Sequence, residues 1–274
     1  MLRVDLLRTE LMMHLQTLST AALLLSAAVF VGCDKPNAPL AIEPTPALAA
    51  TVVDDTNLYG TCEFGDGGSG KTYMGREIAE VMGHFGVGWL ERPEREREDR
   101  TDLLIDAMRL KSTDAVADIG AGSGYFTMRI SPLVSEGVVY ATDIQPEMLD
   151  IIRERSLEEN ALNVMPILGT IEHCGLEANS VDVVLFVDAY HEFSHPREMM
   201  RSIVTALKPD GRVILVEFRA EDPGVLIKER HKMTQAQARL EMEAVGLEFV
   251  ENNSVLPQQH ILVFRKAAAS ATRQ

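Results

Sequence analysis

From Asp114 onward, short apolar runs alternate with stretches in which apolar residues recur every third or fourth position. The runs are Ala115 to Ile119, Val138 to Thr142, Val164 to Leu168, Val181 to Val187, Arg212 to Glu217, Leu247 to Glu251 and His260 to Phe264, and their length and Val/Ile content predict strands. Helical spacing places helices around Tyr125 to Val134, Pro146 to Glu159, Pro196 to Leu207 and Thr234 to Val245. Strands alternating with helices predict an α/β fold: a doubly wound, mainly parallel seven-stranded sheet with helices on both faces. No helix separates the last two runs, so the final strand is expected to run antiparallel. Upstream, Met74 to Gly83 also has helical spacing, and Thr101 opens a helix carrying Leu103, Leu104, Ala107, Met108 and Leu110 on one face.

The N-terminal third reads differently. Leu18 to Gly32 is an apolar run too short for a comfortable membrane span but suited to a signal-peptide core. Its ending, Val31-Gly32-Cys33, resembles the lipobox of bacterial lipoproteins, which implies a lipidated Cys33 and membrane attachment in the cell envelope. An uncleaved anchor facing the cytoplasm, or a cytoplasmic protein, are the alternatives. The Pro-, Ala- and Thr-rich stretch from Asp34 has the composition of a tether. The expected organisation is a signal peptide with lipobox at 1–33, a flexible tether and Gly-rich loop at 34–72, an N-terminal helical lid at 73–112, an enzymatic domain at 113–266 and a disordered tail at 267–274.

Charge narrows the partners. A formal net charge of −15 would repel phosphate backbones, so nucleic acid is not expected as a substrate. Cys33, Cys62 and Cys174 lie far apart and form no C-x-x-C pair, which gives neither a zinc ribbon nor a disulfide framework. Cys174 reads as a packing residue.

Two short patterns point elsewhere and fail on context. Gly65 to Thr72, GDGGSGKT, matches a phosphate-binding loop, but that loop needs a buried strand directly before it, and Asn57 to Phe64 is a poor one. A flexible loop is expected instead. His191 to His195, HEFSH, matches the H-E-x-x-H zinc-protease pattern, which requires both histidines on one face of a continuous helix. A β-rich run precedes it and Pro196 follows it directly, so a strand-to-helix loop is expected, with Ser194 or His195 capping a helix that starts at Pro196. Glu217 or His231 could be imagined as a third ligand, but no spacing selects either.

The Gly-rich turn after the first predicted strand has the context those patterns lack. Asp118-Ile119-Gly120-Ala121-Gly122-Ser123-Gly124 follows an apolar strand and opens an amphipathic helix, and the second strand ends in Asp143, where an acid can bind ribose hydroxyls. DIGAGSGYF, ATDIQPEML, VDVVLFVDAY and ALKPDGRVILVEF, in that order, resemble the class I S-adenosylmethionine-dependent methyltransferases, closest to the small-molecule branch typified by quinone-biosynthesis enzymes. The segment from Tyr73 to Arg100 resembles apparently exported bacterial members. The resemblance covers roughly residues 101–266 and implies a Rossmann-like fold with S-adenosylmethionine as cofactor.

It also implies roles. Asp118 and the loop of Gly120, Ala121, Gly122 and Gly124 would hold the methionine part of the cofactor, Asp143 the ribose, and Ile144 the adenine. Relatives usually carry an acid after the third strand; Gly169-Thr170-Ile171-Glu172 offers Thr170 and Ile171 there, with Glu172 two residues past Thr170. Asp188, ending the fourth strand, would lie next to the sulfonium. His191 and Glu192 would face cofactor and substrate from the loop that follows, His191 as general base or positioning group and Glu192 orienting it. His231 and Lys232 could line the substrate entrance. No catalytic metal is required. The acceptor is expected to be a small molecule; the alternatives are a protein or lipid acceptor at the membrane, or a cofactor-binding sensor without transfer.

Overall fold

The structure, a computed structural model, describes residues 58–267. The expected signal peptide and Cys33, most of the expected tether and nearly all of the expected tail lie outside the described residues. Among the described residues, no helix is long and apolar enough to cross a membrane.

The chain begins with a small antiparallel sheet of β1 (Tyr59–Thr61), β2 (Gly68–Tyr73) and β3 (Arg76–Ala79). Two expectations are corrected here. The GDGGSGKT stretch is not a flexible loop, because its second half is β2, and the helical spacing from Met74 conceals a strand. Tyr73 pairs with Arg76 across the two-residue turn Met74-Gly75, in which both residues have positive φ, 48° and 89°. That is the type I′ geometry, whose twist matches paired strands. The expected boundary at 72/73 therefore falls inside a hairpin, and residues 59–61 and 68–72 are strand rather than tether.

Short helices follow: α1 (Val87–Leu90), α2 (Arg95–Asp99) and α3 (Thr101–Met108). The larger sheet and its helices then come in the order β4 (Ala115–Ile119), α4 (Tyr125–Ile130), β5 (Val138–Asp143), α5 (Pro146–Glu158), β6 (Val164–Leu168), β7 (Val181–Val187), α6 (Pro196–Ala206), β8 (Leu207–Arg219), β9 (Lys232–Met233), α7 (Gln235–Glu243), β10 (Leu247–Asn253) and β11 (Gln259–Lys266). Strands lie in the order β10-β11-β8-β7-β4-β5-β6, with two-residue β9 added in parallel beside the end of β8. The seven expected strands are all present, and β11 runs antiparallel to both of its neighbours.

The apolar runs form strands buried on both faces, and their residues divide by parity. Val116, Val183, Leu185, Ile214 and Val216 enter one core beside α3, α4 and α5, while Ala117, Ile119, Val184, Phe186, Val213 and Leu215 enter the other beside α6 and α7. Such two-sided burial is why these runs do not alternate with polar residues. Pro146 and Pro196 each open a helix, where a missing N–H costs nothing. On α6, Met199, Met200, Ile203 and Ala206 form the buried stripe. At the start of α7 the Thr234 hydroxyl accepts from the Gln237 N–H and caps the helix.

Strand order reverses between β4 and β7. The chain leaves β4 toward β5 and β6 on one side and continues from β7 toward β8 on the other, so the loops at their carboxyl ends part and leave a crevice.

Candidate active site

A cavity of about 320 Å³ occupies that crevice. Its floor comes from Gly120 and Gly122 after β4, Asp143 to Gln145 after β5, Thr170 and Ile171 after β6, and Asp188, Ala189 and Glu192 after β7. Its roof comes from Ile78, Ala79, Val81, Met82 and Leu90 of the small sheet and the segment behind it.

Gly120 has φ 71°, and a Cβ there would sit 2.9 Å from that of Ala189, so the turn can close only around hydrogen. Asp143 organises the same wall. Its Oδ2 accepts from the Gly122 N–H and its Oδ1 from the Gln145 N–H, both at 2.9 Å. A carboxylate has about four acceptor directions, so two stay available to a diol. Burial pushes the Asp143 carboxyl up.

Three expected cofactor residues stand behind this wall rather than on it. The Asp118 side chain accepts from the Thr127 hydroxyl at 2.7 Å inside the protein, Ala121 bonds its N–H to the Thr142 carbonyl, and Gly124 begins α4. Burial pushes the Asp118 carboxyl up to about 6. The folded protein therefore binds a proton more readily than the unfolded chain, and stability falls as pH rises from about 4 to about 6, by about 2–3 kcal/mol at most. Asp118→Asn is expected to be more stable than wild type at pH 7.5 and to lose that advantage at pH 4. Urea unfolding at both values checks this, and an equal difference at each would contradict it.

Ile144 past β5 and Ile171 past β6 are exposed apolar side chains on the cavity rim. The Thr170 hydroxyl accepts from the N–H groups of Glu172 and His173, which makes it a turn-former. Glu172 is exposed, 3.9 Å from His195.

The HEFSH stretch is the expected loop: Tyr190–Glu192 form one 3-10 turn and α6 starts at Pro196. His195 contacts Ser194 and takes no part in the cavity. His191 departs from the reading of it as facing cofactor and substrate. It is 1% exposed and lines an adjoining cavity of about 60 Å³, whereas Glu192 lines both. The His191 Nδ1 lies 2.6 Å from Glu217 Oε2 and its Nε2 lies 2.9 Å from His231 Nδ1. Burial disfavours the charged ring, but the Glu217 carboxylate outweighs it and raises the His191 pKa. For His231, burial, then His191 and Lys228, push the pKa down to about 4.

Asp188 lines both cavities. Its Oδ2 accepts from Gln259 Nε2 at 3.1 Å, its Oδ1 is shielded from solvent without a partner, and burial with Glu217 and Asp99 pushes the carboxyl up to about 7. Lys232 turns away to Glu229.

The residues that sequence reasoning missed are the fasteners of the roof. The Met82 N–H donates to Glu192 Oε2 at 3.0 Å, while the Gln145 amide accepts from His84 N–H and donates to the Met82 carbonyl. Arg76 donates from Nε and Nη2 to the two carboxylate oxygens of Glu241 at 2.7 and 2.9 Å, and from Nη1 to the His191 carbonyl. Cys174 is buried against Ser202, a packing residue as expected.

Residues 116–211 match the family of methyltransferase domains. Among relatives, the chain is 34% identical over 122 residues to "Uncharacterized methyltransferase YcgJ" of Bacillus subtilis, covering 44% of this chain and 47% of that protein. It is 30% identical over 128 residues to "Ubiquinone/menaquinone biosynthesis C-methyltransferase UbiE" of Azotobacter vinelandii, covering 46% and 51%. The chain thus spans about half the length of the relatives it matches. A solved S-adenosylmethionine-dependent methyltransferase from Aquifex aeolicus superposes with a TM-score of 0.63 at 20% identity, over 67% of this chain and 98% of that one. The larger sheet and its helices have the Rossmann-like methyltransferase fold, and the stretch that matches the methyltransferase-domain family lies within them.

Proposed function

We propose that the chain uses this domain to transfer a methyl group from S-adenosylmethionine to a small, largely apolar acceptor. The observation that carries the reading is the common wall of the cavity, where the Gly120–Gly122 turn and the Asp143 carboxylate stand side by side under a roof of apolar side chains.

The residues present fit the cofactor. Gly120 and Gly122 allow its methionine part to approach backbone, Asp143 has acceptor directions left for the ribose hydroxyls, and Ile144 and Ile171 offer apolar surface to the adenine. When bound, the cofactor supplies an electrophilic methyl group on a cationic sulfur. Asp188, ending β7 on the same wall, presents its carboxyl to that region, and an ionised carboxylate stabilises a nearby cation. The roof excludes water and holds the acceptor in line, which by itself supplies much of what a displacement needs. The Ile78, Val81, Met82, Leu90, Phe193 and Met199 side chains suit an apolar acceptor, in keeping with the quinone-related substrates in the name of one relative.

Calorimetric titration of the full chain with S-adenosylmethionine and its demethylated product is the test. Binding of both in the micromolar range supports the reading; no heat with either would remove it.

We also infer, from the leader and Cys33, that the protein is a lipoprotein of the bacterial envelope. Labelled fatty acid should enter the wild-type chain and not Cys33→Ser; equal labelling of the two would end this inference.

A further inference from the structure

The histidine pair beside the cavity carries more than methyl transfer uses. Glu217, on β8 and fully buried, fixes the His191 ring: its Oε1 accepts from the His191 N–H at 3.3 Å while its Oε2 holds Nδ1 at 2.6 Å. A carboxylate on one ring nitrogen sets the tautomer and leaves the other nitrogen a lone-pair donor, the usual outer support of a metal-bound histidine. That other nitrogen meets His231 Nδ1 at 2.9 Å. Two imidazole nitrogens this close share either a proton or a cation.

Glu192 separates those cases. Its Oε2 is held by the Met82 N–H, and its Oε1 lies 3.9 Å from His191 Nε2 and also 3.9 Å from His231 Nδ1. A triangle with sides of 2.9, 3.9 and 3.9 Å has a centre about 2.1 Å from every corner, which is the length of zinc–nitrogen and zinc–oxygen bonds. A shared proton accounts for the short edge alone and gives no reason for a carboxylate oxygen equidistant from both rings.

We infer that His191, Glu192 and His231 form a site for a divalent transition-metal ion of the zinc type. Two imidazoles and one carboxylate suit zinc, cobalt or nickel better than magnesium or calcium. Three protein ligands leave a position open for water or a substrate oxygen. The adjoining cavity supplies the room for it, and Asp188, whose Oδ1 has no partner, is among the residues that border that cavity. Arg92 and Arg95 border it too, but both are paired to Asp99. Half of the zinc-protease pattern is thus used in an unexpected way: His191 and Glu192 ligate from a loop, and the second histidine comes from position 231 instead of 195.

The site stands without the methyl-transfer reading, and its test separates the two. Untagged full-length protein, stripped with a chelator, is titrated with Zn²⁺ by calorimetry and with Co²⁺ by visible absorption. One ion per chain is expected, with Co²⁺ absorption bands. His231→Ala should weaken Zn²⁺ binding at least about 10²-fold, since it removes a direct ligand, and Glu192→Gln at least about tenfold, since it replaces a charged ligand oxygen with a neutral one. His231 lies on a partly exposed turn, so its variant should keep its far-ultraviolet circular dichroism and its affinity for S-adenosylmethionine. Failure of the wild type to bind Zn²⁺ stoichiometrically overturns the site, as does unchanged Zn²⁺ affinity in His231→Ala or Glu192→Gln. Loss of Zn²⁺ binding with cofactor affinity intact establishes it, whatever the fate of the transfer reaction.

Discussion

Asp143→Ala is expected to weaken S-adenosylmethionine binding by roughly 10²- to 10⁴-fold, as two hydrogen bonds to a charged acceptor are worth about 3–6 kcal/mol together. The carboxylate sits at the end of β5 with one acceptor direction of each oxygen taken by the Gly122 and Gln145 amides, so the two that face the cavity are the ones a ribose diol can reach. Burial already disfavours the charge in the free protein. Removing it strands the Gly122 and Gln145 N–H groups, so the melting temperature of the free protein should fall, and the rise that ligand produces should largely disappear. Asp143→Asn, which keeps one acceptor, should fall between the two. A calorimetric affinity within threefold of wild type for Asp143→Ala would place the cofactor elsewhere.

The second large effect concerns stability. Arg76→Ala should cost about 3–5 kcal/mol, because it leaves Glu241 as an unpaired charge at 0% exposure. Arg76 also packs over the Tyr190 ring and bonds the His191 carbonyl, so the same change loosens the loop that carries His191. Lysine cannot reproduce the two-pronged contact, and Arg76→Lys should recover only part of the loss. The double variant Arg76→Met with Glu241→Met should recover most of it, because no buried charge is then stranded. Urea midpoints measure all three; a double variant no better than Arg76→Ala would show that the pair does more than neutralise itself.

What could be read from the sequence follows from how each part is stabilised. Strands such as Val181–Val187 are buried on both faces by helices, so they are continuous apolar runs that announce themselves, and Pro146 and Pro196 mark their helices unaided. The hairpin has no such signature. Gly68-Ser69-Gly70-Lys71 lacks the alternation of a half-buried strand, and the apolar residues after Met74 happen to fall at helical spacing. The Met74-Gly75 turn was a usable clue, since glycine stands at its second position between Tyr73 and Arg76. At the site, the Gly120 turn and Asp143 were legible because strand, turn and helix are local in sequence. The direction of His191 was not: it is set by Glu217, 26 positions away, and by His231, 40 positions away.

The roof also fixes an order of assembly. Strands β4 to β11 pair among themselves, whereas the hairpin is fastened by Arg76 to Glu241, 165 positions later. During synthesis the hairpin emerges first and its anchor almost last, and contacts so distant along the chain close slowly. The cofactor crevice therefore stays open to solvent until the final docking step. Trp89, the chain's sole tryptophan, stacks with Arg92 in the segment behind the roof, so its fluorescence is placed to report that step.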